Sequence, residues 1–271
     1  MYRTITLTLL LPLLFACATS PTGRSQFMLI SPESAIVESK KAYISTVSEL
    51  DKEDKLVDDP LLTDRVARIT GRLVSVAVDR YPNSADWEWS VAIIDDPETV
   101  NAWCMAGGRM AVYTGLFEKL KLTDAEFAHI MGHEISHALA NHTAERMSRA
   151  MATTVGVIAI GAMSDHPAVA MGGAAAAAQL ALQLPNSRTA ESEADQLGME
   201  IAVRAGYAPD AAVTLWQKMG AQSQGKAPPE FLSTHPAPTN REAALSAMVP
   251  EMSQLNPGGT KAPIHPVTIE Q

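Results

Sequence analysis

The sequence predicts a mainly helical chain with a small β-sheet, an α+β fold. Three observations predict it. The composition holds 13 methionines and abundant alanine, but only 5% aromatics, which favours helices. Most segments carry apolar residues at helical spacing. Between them lie one stretch of strict alternation and one apolar hairpin signature. The chain of 271 residues is 46% hydrophobic and can bury a sizeable core. A formal net charge of −9 with no basic stripe argues against a nucleic-acid partner.

The N-terminus reads as a targeting segment. Arg3 precedes the short apolar run ITLTLLLPLLF at residues 5–15, which is too short to span a bilayer. The stretch LFAC resembles a bacterial lipobox, so residues 1–16 are expected to be a signal peptide and Cys17 the lipidated residue. The other reading is a plain secretory signal cut near Ala18. Residues 17–31 read as a lipidated tether. Ala18 after the cysteine suggests the outer membrane, with the protein at the periplasmic face of the bacterial envelope. Cys104 is the only other cysteine, so if Cys17 is acylated no disulfide is possible within one chain.

Residues 32–58 and 60–80 have helical spacing, with Leu61, Leu62, Val66, Ile69 and Leu73 on one face. Trp87, Trp89, Val91 and Ile93 alternate as in a strand. NAWCMAGGRMAVYTG, residues 101–115, places Gly107-Gly108 between two apolar runs, a hairpin signature. Thr123 and Glu126 form a T-x-x-E capping box; Phe127, Met131, Ile135 and Ala138 then continue a helix predicted to reach about Ala150. Residues 151–184 are apolar and rich in Ala, Gly and Met. They read as buried helices, or as a membrane-dipping or lid hairpin. Further helices are predicted from Ser187 to before Gly206, from Pro209-Asp210 to about Gly220, and over Thr239–Met248. Residues 32–250 are expected to form one domain and 251–271 a disordered tail.

HIMGHEISH, residues 129–137, carries the chemistry. Residues four apart share a helix face, so His133 and His137 can grip one ion, with Glu134 beside them. This is the H-E-x-x-H pattern of zinc peptidases. A metal held there acidifies water and polarises a carbonyl. Glu134 is the candidate base that takes the proton and passes it to the leaving amine. His129 lies eight residues from His137, roughly 12 Å along the axis, and His142 is rotated away. Both are expected to pack, or to support the ligands from behind, and not to bind the ion. A third ligand is needed. The metzincin extension requires Gly at 140 and His at 143, where this chain has Ala140 and Thr143. The run ESEAD instead offers Glu191 as the ligand, with Asp195 four residues on. Asp195 can accept the outer N–H of a ligand histidine. An acidic run is otherwise usually a solvated helix face.

HEISH followed by ESEAD resembles the gluzincin peptidases of the HtpX and CAAX-prenyl-protease type, peptidase family forty-eight. NAWCMAGGRMAVYTGLF and STHPAPTNR, Ser233 to Arg241, are similar to two further segments of that family, in the same order. The lipobox points to its LoiP-like periplasmic lipoprotein branch. The resemblance implies a zincin-like metallopeptidase fold with an H-E-x-x-H helix and a second Glu-bearing helix. It implies one Zn2+ per chain, and His235 and Arg241 facing the active site as catalytic groups. His235 has two readings: it stabilises the oxyanion of the transition state, or it occupies the fourth metal position and restrains activity. The resemblance also implies a substrate strand along the sheet edge. That edge is expected at Arg109, Met110, Ala111, Val112 and Tyr113, where an extended peptide can add as a strand. The expected function is a zinc endopeptidase acting on unfolded or misassembled envelope proteins. The alternative is a chaperone-like periplasmic binding module for outer-membrane proteins that rarely cuts.

Overall fold

The computed structural model describes residues 17–162, 186–222, 229–236 and 240–270, with backbone alone for residues 17 and 155–162. In chain order the elements are β1 (Cys17–Thr19), β2 (Ser25–Phe27), α1 (Pro32–Lys52), α2 (Pro60–Arg80), β3 (Ser90–Ile94), β4 (Ala102–Met105), β5 (Arg109–Tyr113), α3 (Thr114–Leu120), α4 (Asp124–Leu139), α5 (His142–Ala162), α6 (Arg188–Arg204), α7 (Asp210–Gln222), α8 (Glu230–Thr234), α9 (Arg241–Met252) and β6 (Thr268–Glu270). Among the described residues no helix is long and apolar enough to cross a membrane. The signal segment and most of the expected lid or membrane-dipping hairpin lie outside the described residues.

The chain divides into two compact units, residues 1–35 with 140–184 and residues 36–139 with 185–271. In the first, β1 and β2 pair antiparallel, Cys17 opposite Phe27. The Gln26 amide donates to the Ala140 carbonyl at 2.7 Å, Arg24 pairs with Glu145 at 2.7 Å, and the Leu29 and Ile30 N–H groups both donate to Ser148 Oγ at 2.9 Å. Residues 17–30 are therefore a hairpin tied to α5, where a loose tether was expected. Composition reads PTGRSQ as linker; Arg24 and Gln26 within it find partners 114 to 121 residues away, beyond any local pattern. Burial alone would raise the Glu145 carboxyl, but Arg24 and Gln26 hold it low.

The second unit is built on a four-stranded sheet in the order β4-β5-β3-β6. β3 runs parallel to β5 and β6, and β4 antiparallel to β5. Val66, Ile69 and Leu73 of α2, Ile93 and Met110 of the sheet, and Phe127, Ile130 and Met131 of α4 share one core. Gly107 and Gly108, at φ +87° and +82°, make the hairpin turn between β4 and β5 that the sequence predicts.

Four expectations change. First, β5 is not an edge: β3 and β4 take both its sides, so Arg109–Tyr113 cannot receive a peptide strand. The hairpin signature identifies two strands but not which of them gains the parallel partner. Among the described residues, β4 is left with the free side. Second, of the expected disordered tail 251–271, the described residues 251–270 are ordered. α9 continues to Met252, the Ala262 N–H donates to the Ala205 carbonyl at 3.2 Å, His265 N–H to Gly71 O at 3.0 Å, and β6 joins the sheet. Only the fold supplies these backbone partners. Third, the helix of the capping box stops at Leu139; Asn141 adopts φ +55° and α5 starts anew. Fourth, Leu61 is 82% exposed despite its helical register, because it stands in the first turn of α2, behind the Asp59 cap.

Candidate metal centre

The site depends on how closely two helices approach. α4 starts at the predicted capping box: Thr123 N–H donates to Glu126 Oε2 at 2.8 Å and Glu126 N–H to Thr123 Oγ1 at 3.2 Å. α6 starts where Ser187 Oγ accepts from Ala190 N–H at 3.2 Å. The two helices meet at Gly132 and Gly198. A Cβ on Gly132 would lie 2.7 Å from the Gly198 carbonyl oxygen, and one on Gly198 2.6 Å from the His133 nitrogen. Only residues without side chains permit that contact, and it sets Glu191 and Asp195 of α6 against His133 of α4.

His133 Nε2 lies 3.0 Å from His137 Nε2, 3.2 Å from Glu191 Oε2 and 3.3 Å from His235 Nδ1. Glu191 Oε1 lies 3.4 Å from His137 Nε2 and 3.1 Å from His235 Nδ1. All four residues are buried and their ligand atoms fall within 4.8 Å of one another. Atoms held about 2.0–2.1 Å from a tetrahedral ion are about 3.3 Å apart, so these spacings fit a zinc-type cation. Glu191 Oε2 is also buried without a hydrogen bond among the described residues, as a carboxylate oxygen kept for a metal would be. Burial would raise the Glu191 carboxyl, but the His133 and His235 contacts hold it far below its usual range.

Asp195 stands where the sequence puts it: His133 Nδ1 is 3.0 Å from Asp195 Oδ1. Glu134 is buried, and burial raises its carboxyl. Its Oε1 lies 3.4 Å from His235 Nε2, and the Cys104 backbone N–H of β4 bonds the carboxylate. Arg241 comes to the ligand cluster from the first turn of α9. Its guanidinium bonds Asp195 and reaches within 3.5 Å of Glu191 Oε2, behind the ligands. His129 is outside the donor set; its Nε2 donates to the Ala208 carbonyl at 2.9 Å, and burial lowers its pKa to about 4. His142 opens α5, in the other unit.

Sequence reasoning missed the supports of His235. The Phe231 ring stacks on its imidazole at 4.5 Å and 24°. The Phe231 N–H donates to Val100 O at 3.1 Å, and Asn101 Nδ2 donates to Glu230 Oε1 at 3.2 Å. The residues leading into β4 thereby hold α8. No local pattern in the sequence marks these residues.

Two histidines and a glutamate on adjoining buried helices, with a further glutamate beside them, define a metallopeptidase centre of the H-E-x-x-H class. The chain belongs to Peptidase family M48, whose profile matches residues 60–249. It is 31% identical over 245 residues to the mitochondrial metalloendopeptidase OMA1 of Bos taurus, covering 86% of this chain and 46% of that one. It is 35% identical over 195 residues to the mitochondrial metalloendopeptidase OMA1 of Arabidopsis thaliana, at 72% and 38% coverage. It is 32% identical over 206 residues to the beta-barrel assembly-enhancing protease of Escherichia coli K12, at 73% and 41%. The chain thus spans less than half the length of these relatives.

Proposed function

We propose that this chain is a zinc-dependent endopeptidase that cleaves unfolded or misassembled proteins of the bacterial envelope. The observation that carries this reading is the buried convergence of His133, His137 and Glu191 beside Glu134. These three residues would hold the ion, and Asp195 would fix the His133 tautomer. Zinc, when bound, supplies Lewis acidity to a peptide carbonyl and to water. Glu134 accepts the proton of the attacking water and delivers it to the leaving amine; its raised pKa suits a group that must both take and give. The free side of β4 runs past this glutamate, so an extended peptide added there would bring its backbone to the base. The envelope assignment rests on the lipobox at Cys17 and on the Escherichia coli relative, and the N-terminal lipid would hold the protein to the membrane.

One observation favours a restrained enzyme. His235 Nδ1 lies within the donor set, which supports the reading in which this imidazole fills the fourth position until substrate arrives. Permanent closure would leave the binding module. Degradation of an unfolded envelope protein by zinc-loaded wild type and by Glu134→Gln separates the two. Cleavage only by wild type supports the peptidase. Equal binding with no cleavage by either would leave the chaperone-like module standing.

A further inference from the structure

We propose that Trp216, which lies in none of the sequence motifs, is a positioning residue for the metal centre. Its indole clamps the Arg241 guanidinium so that Arg241 holds Asp195, and through it the His133 ring, in the orientation that presents Nε2 to the ion. This inference rests on the metallopeptidase reading and adds to it residues that touch neither substrate nor metal.

Arg241 is buried with part of its guanidinium unsatisfied. It is 4% exposed, and its Nε and Nη1 have no hydrogen-bond partner among the described residues. A buried, incompletely bonded guanidinium is costly. It also occupies the first turn of α9, where the helix dipole disfavours a cation. The Asp195 and Glu191 carboxylates draw it inward, but they leave the faces of the guanidinium and its Nε uncovered by hydrogen bonds. The Trp216 ring covers one face: the guanidinium carbon lies 3.6 Å from its centroid, a desolvated cation–π contact with the best aromatic partner for it. Nη2 is thereby aimed at Asp195 Oδ1, the same oxygen that His133 Nδ1 approaches to 3.0 Å.

The surroundings add a second reason for the indole. Trp216, His129, His133, Asp195, Met199 and Phe231 help line a cavity of about 20 Å³ directly behind the ligands, roughly the room of one water. Trp216 also packs on Phe231 at 6.0 Å, the ring that stacks on His235. Removing the indole would loosen Arg241 and open this space to water, which would compete for Asp195.

Zinc affinity, measured by chelator competition on the full chain, tests the proposal. Thermal unfolding of the metal-free variants reports on folding separately. Arg241→Lys should weaken zinc binding about 10-fold or more, in the range of losses of partners that orient a ligand. Trp216→Leu should weaken it several-fold, and Trp216→Phe, which keeps a π face, should restore most of the loss. In the Arg241→Lys background Trp216→Leu should add little, because both act on one contact. Unchanged affinity in Arg241→Lys overturns the proposal whatever the Trp216 variants do. So does equal affinity of Trp216→Leu and Trp216→Phe, or full additivity with Arg241→Lys. Wild type that takes up no zinc would overturn the metallopeptidase reading and this inference with it; zinc-loaded wild type with unaffected variants overturns this inference alone.

Discussion

At the scale of single residues, the centre separates atoms meant for a metal from those meant for protein. Glu191 is fully buried yet its Oε2 takes no hydrogen bond among the described residues and faces His133 Nε2, whereas Asp195 shares its Oδ1 between His133 and Arg241. Glu191→Ala should therefore abolish stoichiometric zinc in elemental analysis; full retention would remove it from the ligand set. Asp195→Ala should weaken zinc about 10–100-fold without abolishing it. For His235 the two roles predict opposite outcomes. If the imidazole restrains the site, His235→Ala raises basal cleavage of an unfolded protein or of the chain itself. If it stabilises the transition state, the rate falls about 10²–10³-fold, as when an oxyanion donor is lost. A time course of cleavage decides.

At the scale of elements, the contact of α4 with α6 governs the centre. Gly198→Ala would place a Cβ 2.6 Å from the His133 nitrogen. Helix backbones cannot yield as a side chain tip can, so the helices must separate. Overpacking of this kind costs about 1–3 kcal/mol, and the loss should appear both in metal-free stability and in zinc affinity. Gly220→Ala, with open space around its Cβ position, should lower neither and, inside α7, should if anything raise stability. α4 also carries a pH term. Burial lowers the His129 pKa to about 4 from the usual 6.5, so the folded state resists a proton that the unfolded state accepts. Stability from the neutral ring is complete above pH 6.5 and declines as pH falls towards 4. Between pH 7 and 5 the decline is about 2 kcal/mol. Urea unfolding of wild type against His129→Gln should show the slope in wild type and its reduction in the variant.

At the scale of the whole chain, the C-terminal residues belong to the fold. Val267 and Ile269 pack on the core, Thr268 N–H donates to Trp89 O at 3.0 Å, and Arg72 bonds the Ala262 carbonyl. Ending the chain at Lys261 should lower the unfolding temperature by roughly 5 °C or more; an unchanged Tm would make the segment dispensable. The proposed lipid anchor is tested at this scale too. Cys17→Ala should abolish lipid labelling and release the protein from the membrane fraction, since firm attachment needs more than one acyl chain. Retention of the variant would point to a second attachment.

What the sequence determined by itself is local in cause. The capping box of Thr123 and Glu126, the start of α6 at Ser187, the turn at Gly107-Gly108 and the four-residue spacing of His133 with His137 all follow from neighbouring residues along one backbone. The pairing of Glu191 with Asp195 was legible for the same reason, since helical period alone sets both on one face. What only the tertiary structure decided is long-range. The strand that keeps a free side depends on β3, the order of residues 17–30 on Glu145 and Ser148, and that of 256–270 on α2 and β3. Arg241 and Trp216 meet from different helices, 25 residues apart in sequence. Glycines inside helices look like weak points to any local measure; Gly132 and Gly198 bring two ligand-bearing backbones together because each lacks the atom that would keep the other away.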